Sequence, residues 1–411
     1  MLKKIDVMQL RQGMYIHQLC SAWIDTPFWQ KSFLLEDQAS LAQIKSSKVQ
    51  QAWIDVSKGL DVLCETAAEE AALAEVKDGG PEAVIAFRKI APVSMADEIG
   101  RAARIVDKSK QAVFSMFNEA RMGKAIDAQN AMPLVEEIAL SVMRNPGALI
   151  GLARLKTADD YTYMHSVAVC ALMIALSRQL GLDDEKTREA GLAGLLHDIG
   201  KMAVPWAILN KPGKLTDAEF AEIREHPAAG HKMLLEARGV GAIALDVCLH
   251  HHEKMDGSGY PDGLSGQQIS LYARMGAVCD VYDAITSNRP YKQGWCPAAS
   301  LRKMTEWSQG HFDEAVFQAF VKSIGIYPVG TLVRLESGKL GVVVEQQAGK
   351  SLLLPKVRVF FSSKSLVYIT PALIDLAGPG LQDKIVARED AAKWGLKDIS
   401  RYWLGDAVVP A

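Results

Sequence analysis

The chain has 411 residues, of which 49% are hydrophobic and 23% charged, with a formal net charge of −2. That composition fits a folded protein of two or three domains, at ~100–200 residues per domain. It excludes a global basic field that would hold a long nucleic acid, but leaves room for a small anionic ligand gripped by local cations.

The N-terminus, MLKKIDVMQLRQGMY, has neither the apolar stretch nor the small-residue cleavage pattern of a signal peptide. No run approaches the ~18–20 apolar residues of a membrane span. Six cysteines are scattered without a CxxC pair, several of them inside apolar runs such as VAVCAL and GAVCDV. They read as buried free thiols in a reducing compartment. The expectation is a soluble cytoplasmic protein without a membrane span.

Residues 1–65 carry short apolar runs (IDVMQL, GMYIHQL, SFLL, QAWIDV) punctuated by Gly13, Pro27 and Gly59. They predict a small, mostly β domain with one helix near Gln38–Ser46. Residues 66–93 open Ala/Glu-rich, pass through Lys-Asp-Gly-Gly-Pro, and read as a linker. Helical spacing then dominates residues 94–325. Ile99, Ala103, Val106, Val113 and Phe117 share one face, and Leu134, Ile138 and Val142 repeat at i, i+4, i+8. Thr216-x-x-Glu219 predicts a capping box that starts a helix running towards His226. Pro328 marks a change of texture. TLVRLESGKLGVVVEQ predicts a hairpin around Ser337-Gly338, and KVRVFF and SLVYIT predict further strands. Residues 326–411 are thus a β-rich extension, closed by a helical segment around Glu389–Trp394. The fold class is multidomain α+β, a helical core between two small β-rich regions.

Seven of the nine histidines fall between positions 165 and 252. His165 lies on the predicted helix YTYMHSVAVCALMIAL. His197-Asp198 closes the apolar run AGLAGLLHDIGK, where a buried carboxylate is costly unless something neutralises it, as a divalent metal would. His226 follows the capping-box helix. His251 and His252 are adjacent, so on a helix they would point about 100° apart and suit two neighbouring metals better than one. Asp280 sits in the apolar helix YARMGAVCDVYDAIT and also needs a partner. Five imidazoles and two carboxylates without a thiolate suit iron or manganese, and zinc less exclusively. A carboxylate bridging two metals about 3.5–4 Å apart would support in-line displacement at phosphorus. His17, His231 and His311 read as ordinary core or surface residues, and His250 is open between the two readings.

From about Arg154 to Gly325 the chain resembles the HD-GYP subgroup of the HD phosphohydrolases. The resemblance rests on His165, His197-Asp198-Ile-Gly-Lys201, His226-Pro227, HHEKMDGSGYPDGL from His251 and CDVYDAITSNRPYK from Cys279. The segments GMYIHQL, TPFWQKSFLL and WIDVSKG are similar to a domain of unknown function often found ahead of HD-GYP domains. YPVGTLVRL resembles an extension that follows them.

The resemblance implies an all-α catalytic core, within residues 154–325, that hydrolyses cyclic di-GMP to pGpG and sometimes onward to GMP. It implies two divalent metal ions, iron or manganese, held by His165, His197, Asp198, His226, His251, His252 and Asp280, with Asp198 bridging. Lys201 would meet the scissile phosphate and help protonate the leaving oxygen, while Tyr260, Arg289 and Lys292 would hold the substrate. Glu253 would orient a ligand or cap structure. Some members carry a Glu four residues before the first histidine, where it helps bind a third metal. Here Tyr161 stands there, so the expectation is a two-metal site. The resemblance also implies protein partners in cyclic di-GMP signalling and leaves oligomerisation open. Two other functions compete: a low-turnover cyclic di-GMP receptor or scaffold, and a phosphodiesterase for a mixed cyclic GMP–AMP dinucleotide.

Overall fold

The computed structural model describes residues 2–7, 10, 12–19, 32–35, 41, 44, 45, 51–56, 58, 59 and 87, then 90–155, 161–211, 213–287, 294–347, 349–380 and 383–405. The expected linker up to residue 86, most of TPFWQKSFLL, and both Arg289 and Lys292 lie outside these residues. The chain divides into two compact units, Met1–Ile85 and Ala86–Ala411.

The first unit holds a four-stranded sheet of β1 (Leu2–Asp6), β2 (Tyr15–Leu19), β3 (Phe33–Leu34) and β4 (Gln51–Asp55), in the order β1-β4-β2-β3. Its described pairings are antiparallel. β4 shows why this stretch forms a strand. Ala52 and Ile54 are buried while Gln51 is exposed, the two-residue period of a half-covered sheet. They meet Ile5, Met14, Ile16, Leu35 and Ile44 in one apolar cluster. Leu41, Ile44 and Lys45 are helical, within the span where the sequence predicts a helix. His17 is exposed on β2.

The second unit opens with a helical array: α1 (Met95–Arg121), α2 (Met132–Arg144), α3 (Pro146–Arg154), α4 (Tyr161–Gln179), α5 (Asp184–Leu196) and α6 (Trp206–Leu209). It continues with α7 (Asp217–Arg224), α8 (His226–Leu235), α9 (Ala242–His250), α10 (Leu271–Thr286), α11 (Pro297–His311) and α12 (Glu314–Ile324). Ile99, Val113 and Phe117 of α1 are buried, as are Leu134, Ile138 and Val142 of α2, on the faces the spacing predicts. Ser94 caps α1 through Asp97 N at 3.3 Å, and Asp97 and Glu98 in the first turn oppose the helix dipole. Glu98 is fully buried, but Ser141 Oγ (2.7 Å) and Arg144 Nε (2.7 Å) donate to it and tie α1 to α2. No helix among the described residues is long and apolar enough to cross a membrane.

A five-stranded antiparallel sheet follows, of β5 (Leu332–Leu335), β6 (Lys339–Glu345), β7 (Lys356–Ser362), β8 (Val367–Asp375) and β9 (Ile385–Arg388), in the order β8-β7-β6-β5-β9. The β5–β6 hairpin turns at Ser337-Gly338, as its sequence predicts. β9 was not predicted: its four residues, IVAR, show no clear alternation and are sided only by pairing with β5. The helix expected around Glu389–Trp394 is only a 3-10 turn, Ala392–Trp394, ended by Gly395 at φ 63. A short α13 (Arg401–Leu404) follows. Val329, Leu340, Val342, Phe360 and Trp403 belong to the same apolar cluster as Ile138, Leu149 and Leu152 of α2 and α3. The sheet therefore shares its core with the helices rather than hanging from them.

Candidate metal centre

Five helices and the turns at their ends converge on one buried point. Asp183 caps α5 through Lys186 N at 2.8 Å, and α5 runs to Leu196. His197 is its C-cap, and from Asp198 the chain tightens into a 3-10 turn, Ile199–Ala203. Gly200 permits this: a Cβ there would stand 1.9 Å from His226 O and 2.4 Å from Gly230 N. Only glycine lets the turn lie directly against α8.

His226 reaches that contact because α7 begins with the predicted Thr216/Glu219 capping box, and α8 restarts at His226 with Pro227 in its first turn. His165 is carried by α4 and Asp280 by α10. His251 and His252 do not share a helix, which corrects the sequence expectation. α9 ends at His250 because the His251 ring turns back, Nδ1 donating to Val247 O (3.0 Å) and Cys248 O (3.1 Å), and occupies terminal carbonyls of the helix.

The seven residues named from the sequence come together, six of them in two halves about the seventh, Asp198. Towards Asp198 Oδ2 lie His165 Nε2 (3.3 Å) and His197 Nε2 (3.4 Å), with Asp280 Oδ1 2.9 Å from His165 Nε2. Towards Asp198 Oδ1 lie His226 Nε2 (3.3 Å) and His251 Nε2 (3.8 Å). His252 Nδ1 stands 3.8 Å from Asp280 Oδ2. Three groups, His165/His197/Asp280, His226/His251/His252 and His197/Asp198/His251, each gather donor atoms within 4.8 Å of one another, and the third joins the two halves. His165, His197, Asp198, His226 and His251 are all at most 2% exposed.

The donor chemistry fits cations. Asp198 Oδ1 is buried and has no hydrogen-bond partner. His226 Nδ1 bonds Ile223 O at 2.7 Å, and His251 Nδ1 bonds backbone carbonyls too. Only a protonated nitrogen can bond a carbonyl, so in the neutral rings both Nε2 atoms carry lone pairs. Those lone pairs face each other across 3.5 Å, beside the unpartnered carboxylate oxygen. Without a cation this arrangement is repulsive and desolvated.

Titration divides the ligands: His251 and His252 favour the neutral ring, while His165 favours the charged one and would lose its Nε2 proton to a bound cation. Burial pushes Asp198 up, but Lys201 and His197 outweigh it and hold the carboxyl well below the usual range. Burial likewise raises Asp280, and His165 more than reverses it. Burial lowers His165, yet hydrogen bonds to Asp198, Asp280 and Asp283 push it up to about 10. Burial, with the neighbouring His252 and His197, takes His251 well below its ordinary value. Burial takes His252 down to about 3.

Around this centre, Lys201 Nζ forms an ion pair with Asp198 Oδ2. Tyr260 stacks on His252, with ring centroids 4.7 Å apart. Glu253 is a loop anchor: its Oε1 accepts from Asp262 N (2.8 Å) and Gly263 N (3.0 Å), which folds the Gly-Tyr-Pro loop back onto the metal-facing turn. Tyr161 begins α4, and its side chain lies outside the described residues.

His250 turns away from the cluster. It bonds Asp246 Oδ1 (2.8 Å) and Asp262 Oδ2 (3.1 Å), and Asp246 also accepts from Ser270, the cap of α10. The Asp246 hydrogen bond raises its pKa. Its stabilisation is therefore full below the unfolded value of about 6.5 and fades as pH rises through the higher folded value. His250→Gln should destabilise the protein more at pH 6 than at pH 9, by about 0.5–1 kcal/mol at most for a half-buried pair, which a Tm comparison at the two pH values reads. A Tm deficit that grows with pH would contradict this assignment.

Two residues escaped the sequence reading. Asp283, one helical turn after Asp280, accepts from His165 Nδ1 at 2.7 Å and from Ser287 Oγ at 3.0 Å. It fixes the ring so that Nε2 faces the centre. A second buried carboxylate at i+3 on an apolar helix was the available signal. Asp283→Asn should weaken metal affinity roughly 10–100-fold, the usual cost of losing such an orienting carboxylate. Unchanged affinity in a chelator titration would contradict it. Arg224, the last residue of α7, lies 4.5 Å over the Tyr260 ring, and nothing in its sequence context marked it.

A buried His/Asp centre in a helical array, led by a His-Asp pair at a helix end, defines the HD class of metal-dependent phosphohydrolases. The family described as "HD domain" matches residues 141–316, and a "Domain of unknown function (DUF3391)" matches residues 2–131, past the first sheet and through α1. The chain is 58% identical over 407 residues to a cyclic di-GMP phosphodiesterase of Pseudomonas aeruginosa, covering 98% of this chain and 96% of that one. It is 39% identical over 181 residues to the cyclic di-GMP phosphodiesterase response regulator RpfG of Xanthomonas campestris, covering 42% and 47%. It is 38% identical over 166 residues to 3'3'-cGAMP-specific phosphodiesterase 1 of Vibrio cholerae, covering 40% and 38%. The chain belongs to the HD-GYP family of HD phosphohydrolases and carries the N-terminal DUF3391 domain.

Proposed function

We propose that this protein is a metal-dependent phosphodiesterase that opens cyclic di-GMP to pGpG and acts in bacterial second-messenger signalling. The observation that carries the reading is the division of six donor residues into two halves about a seventh, Asp198, one of whose oxygens is buried without a hydrogen bond.

His165, His197 and Asp280 would hold one divalent ion and His226, His251 and His252 the other, with Asp198 shared. Nitrogen and oxygen donors without thiolate favour iron or manganese. Bound there, the ions would supply the Lewis acidity that stabilises charge on the attacking and leaving oxygens of an in-line displacement. The chain's own groups do the rest. Lys201, ion-paired with Asp198, would meet the scissile phosphate and help protonate the leaving oxygen. Burial and the nearby Asp280 and Asp198 raise the Tyr260 phenol, so it stays a hydrogen-bond donor with an aromatic face for the ligand. Arg224, over that ring, adds a planar cation suited to phosphate or a base edge. By the family resemblance, Arg289 and Lys292 would add further phosphate contacts. Catalysis belongs to residues 94–325, with the core at 154–325, and the metal-ligating clusters found among the described residues all lie within it. The expected setting is the cytoplasm.

The close relative's name favours cyclic di-GMP, whereas the Vibrio relative's favours the mixed dinucleotide. Initial rates of the metal-loaded protein on both substrates separate these readings. The proposal expects a higher kcat/KM for cyclic di-GMP. Preference for the mixed dinucleotide would replace the substrate, and binding without turnover would make the protein a receptor.

A further inference from the structure

A cavity of about 1010 Å³ opens between α3, α4, α10, the end of α12 and the β6–β7 connection, outside the metal centre. Six cations line it: Arg144, Arg154, Arg178, Lys322, Lys350 and Lys356. Two of these are neutralised within the protein, Arg144 by the buried Glu98 and Lys356 by Glu345 at 3.0 Å. The other four have no ion-pair partner among the described residues. Arg154 and Arg178 are braced on backbone carbonyls instead, Nη1 donating to Val329 O at 3.1 Å and to Met143 O at 3.2 Å. Carbonyl bonds leave a guanidinium its charge; Arg154 also bonds the Tyr282 hydroxyl, while Arg178 keeps its other N–H groups for a ligand.

The lining carboxylates are Glu345, already paired, and Asp283, which faces His165. A concave site with four uncompensated cations focuses positive potential and selects a multiply charged anion. The N-terminus of α3 adds to that field, because Asn145 makes no side-chain cap bond to it. The remaining wall is mixed: Ile150, Leu172 and Val329 give it an apolar patch, and Gln179, Thr286 and Gln346 give it neutral polar groups. Inorganic phosphate would leave that wall and most of the volume unfilled. An anion with a substantial organic body would fill both.

We propose that this cavity is a second ligand site, for a phosphorylated molecule of nucleotide size, distinct from the centre that holds the metals. Its lining includes Asp283, whose other contact orients His165, so the ligand sits one residue behind the metal centre. Arg178 and Lys350 grip it at the mouth, where both are exposed, together with Lys322.

The test uses the full-length, metal-loaded protein and a fluorescent GTP analogue carrying an N-methylanthraniloyl group, with the same labelled guanosine lacking phosphates as control. The proposal expects the triphosphate to bind and the nucleoside not to. It expects R178E/K322E to weaken triphosphate binding at least ten-fold while kcat/KM on cyclic di-GMP, measured without the probe, stays within two-fold of wild type. K350E, on the β6–β7 connection, should weaken binding several-fold by itself and guards against a folding defect in the double variant. No binding to the wild type, equal binding to the variants, or equal binding of the nucleoside would overturn the proposal. So would a parallel loss of binding and hydrolysis, which would place the probe in the catalytic cleft. The binding arm does not depend on the phosphodiesterase reading. If the wild type fails to hydrolyse cyclic di-GMP, that reading falls, and retained folding of the variants is then judged from their melting curves.

Discussion

Asp198→Ala should strip the protein of metal and of hydrolysis together. One carboxylate serves both halves of the cluster, with His165 and His197 3.3–3.4 Å from Oδ2 and His226 3.3 Å from Oδ1. Its removal leaves five imidazoles and Asp280 to face two dications, and it separates the halves. Metal affinity depends on charge-matched, deprotonated ligands, so both sites weaken at once. Metal ions supply several kcal/mol to such a displacement, so turnover should fall by about 10²–10³-fold or more. His197→Ala should do nearly the same through the half it shares with His165. The fold should survive in both variants, because the surrounding helices are held by large apolar clusters. Metal analysis and chromatography of the nucleotide products check the outcome. Full metal content with wild-type turnover in either variant would refute the assignment.

Gly200→Ala should damage the same centre without touching a ligand. The new methyl group would sit 1.9 Å from His226 O and 2.4 Å from Gly230 N, both backbone atoms that no rotamer change can move. Relief requires the 3-10 turn after Asp198 to separate from α8. Overpacking of this kind costs about 1–3 kcal/mol, and rigid backbone contacts lie at the upper end. For a domain this large, that shifts Tm by several degrees. Because the turn carries Asp198 and Lys201 and α8 carries His226, the separation pulls the two halves apart. Metal loss at temperatures where the variant is still folded is the distinguishing result. A variant with wild-type Tm and metal content would show that the contact is not what positions His226.

How legible the centre was in the sequence depended on what fixes each residue. His165, His197, Asp198, His226, His251, His252 and Asp280 were readable because a charged or ligating side chain in an apolar helical run is anomalous on its own terms. The capping box at Thr216 and the Ser337-Gly338 hairpin were readable because their bonds are local. Asp283 carries the same signal as Asp280, a carboxylate in an apolar helix, but its role is fixed by a partner 118 residues away, as that of Arg224 is by one 36 away. The turn at His251 was misjudged because a side chain takes the carbonyls of α9, which backbone periodicity does not report. β9 was missed because a four-residue strand is sided by its neighbour rather than by its own pattern. The shared core of helices and C-terminal sheet was likewise invisible, because contacts such as Trp403 against Gly151 join distant segments.

The most direct test of the central claim is metal stoichiometry measured together with product formation, on protein purified without oxygen and reconstituted with iron or manganese. Two divalent ions per chain and conversion of cyclic di-GMP to pGpG, both lost on chelation and restored by readdition, are the predicted result. Hydrolysis that continues at full rate in metal-free protein would contradict it, as would a fully loaded protein that leaves cyclic di-GMP intact.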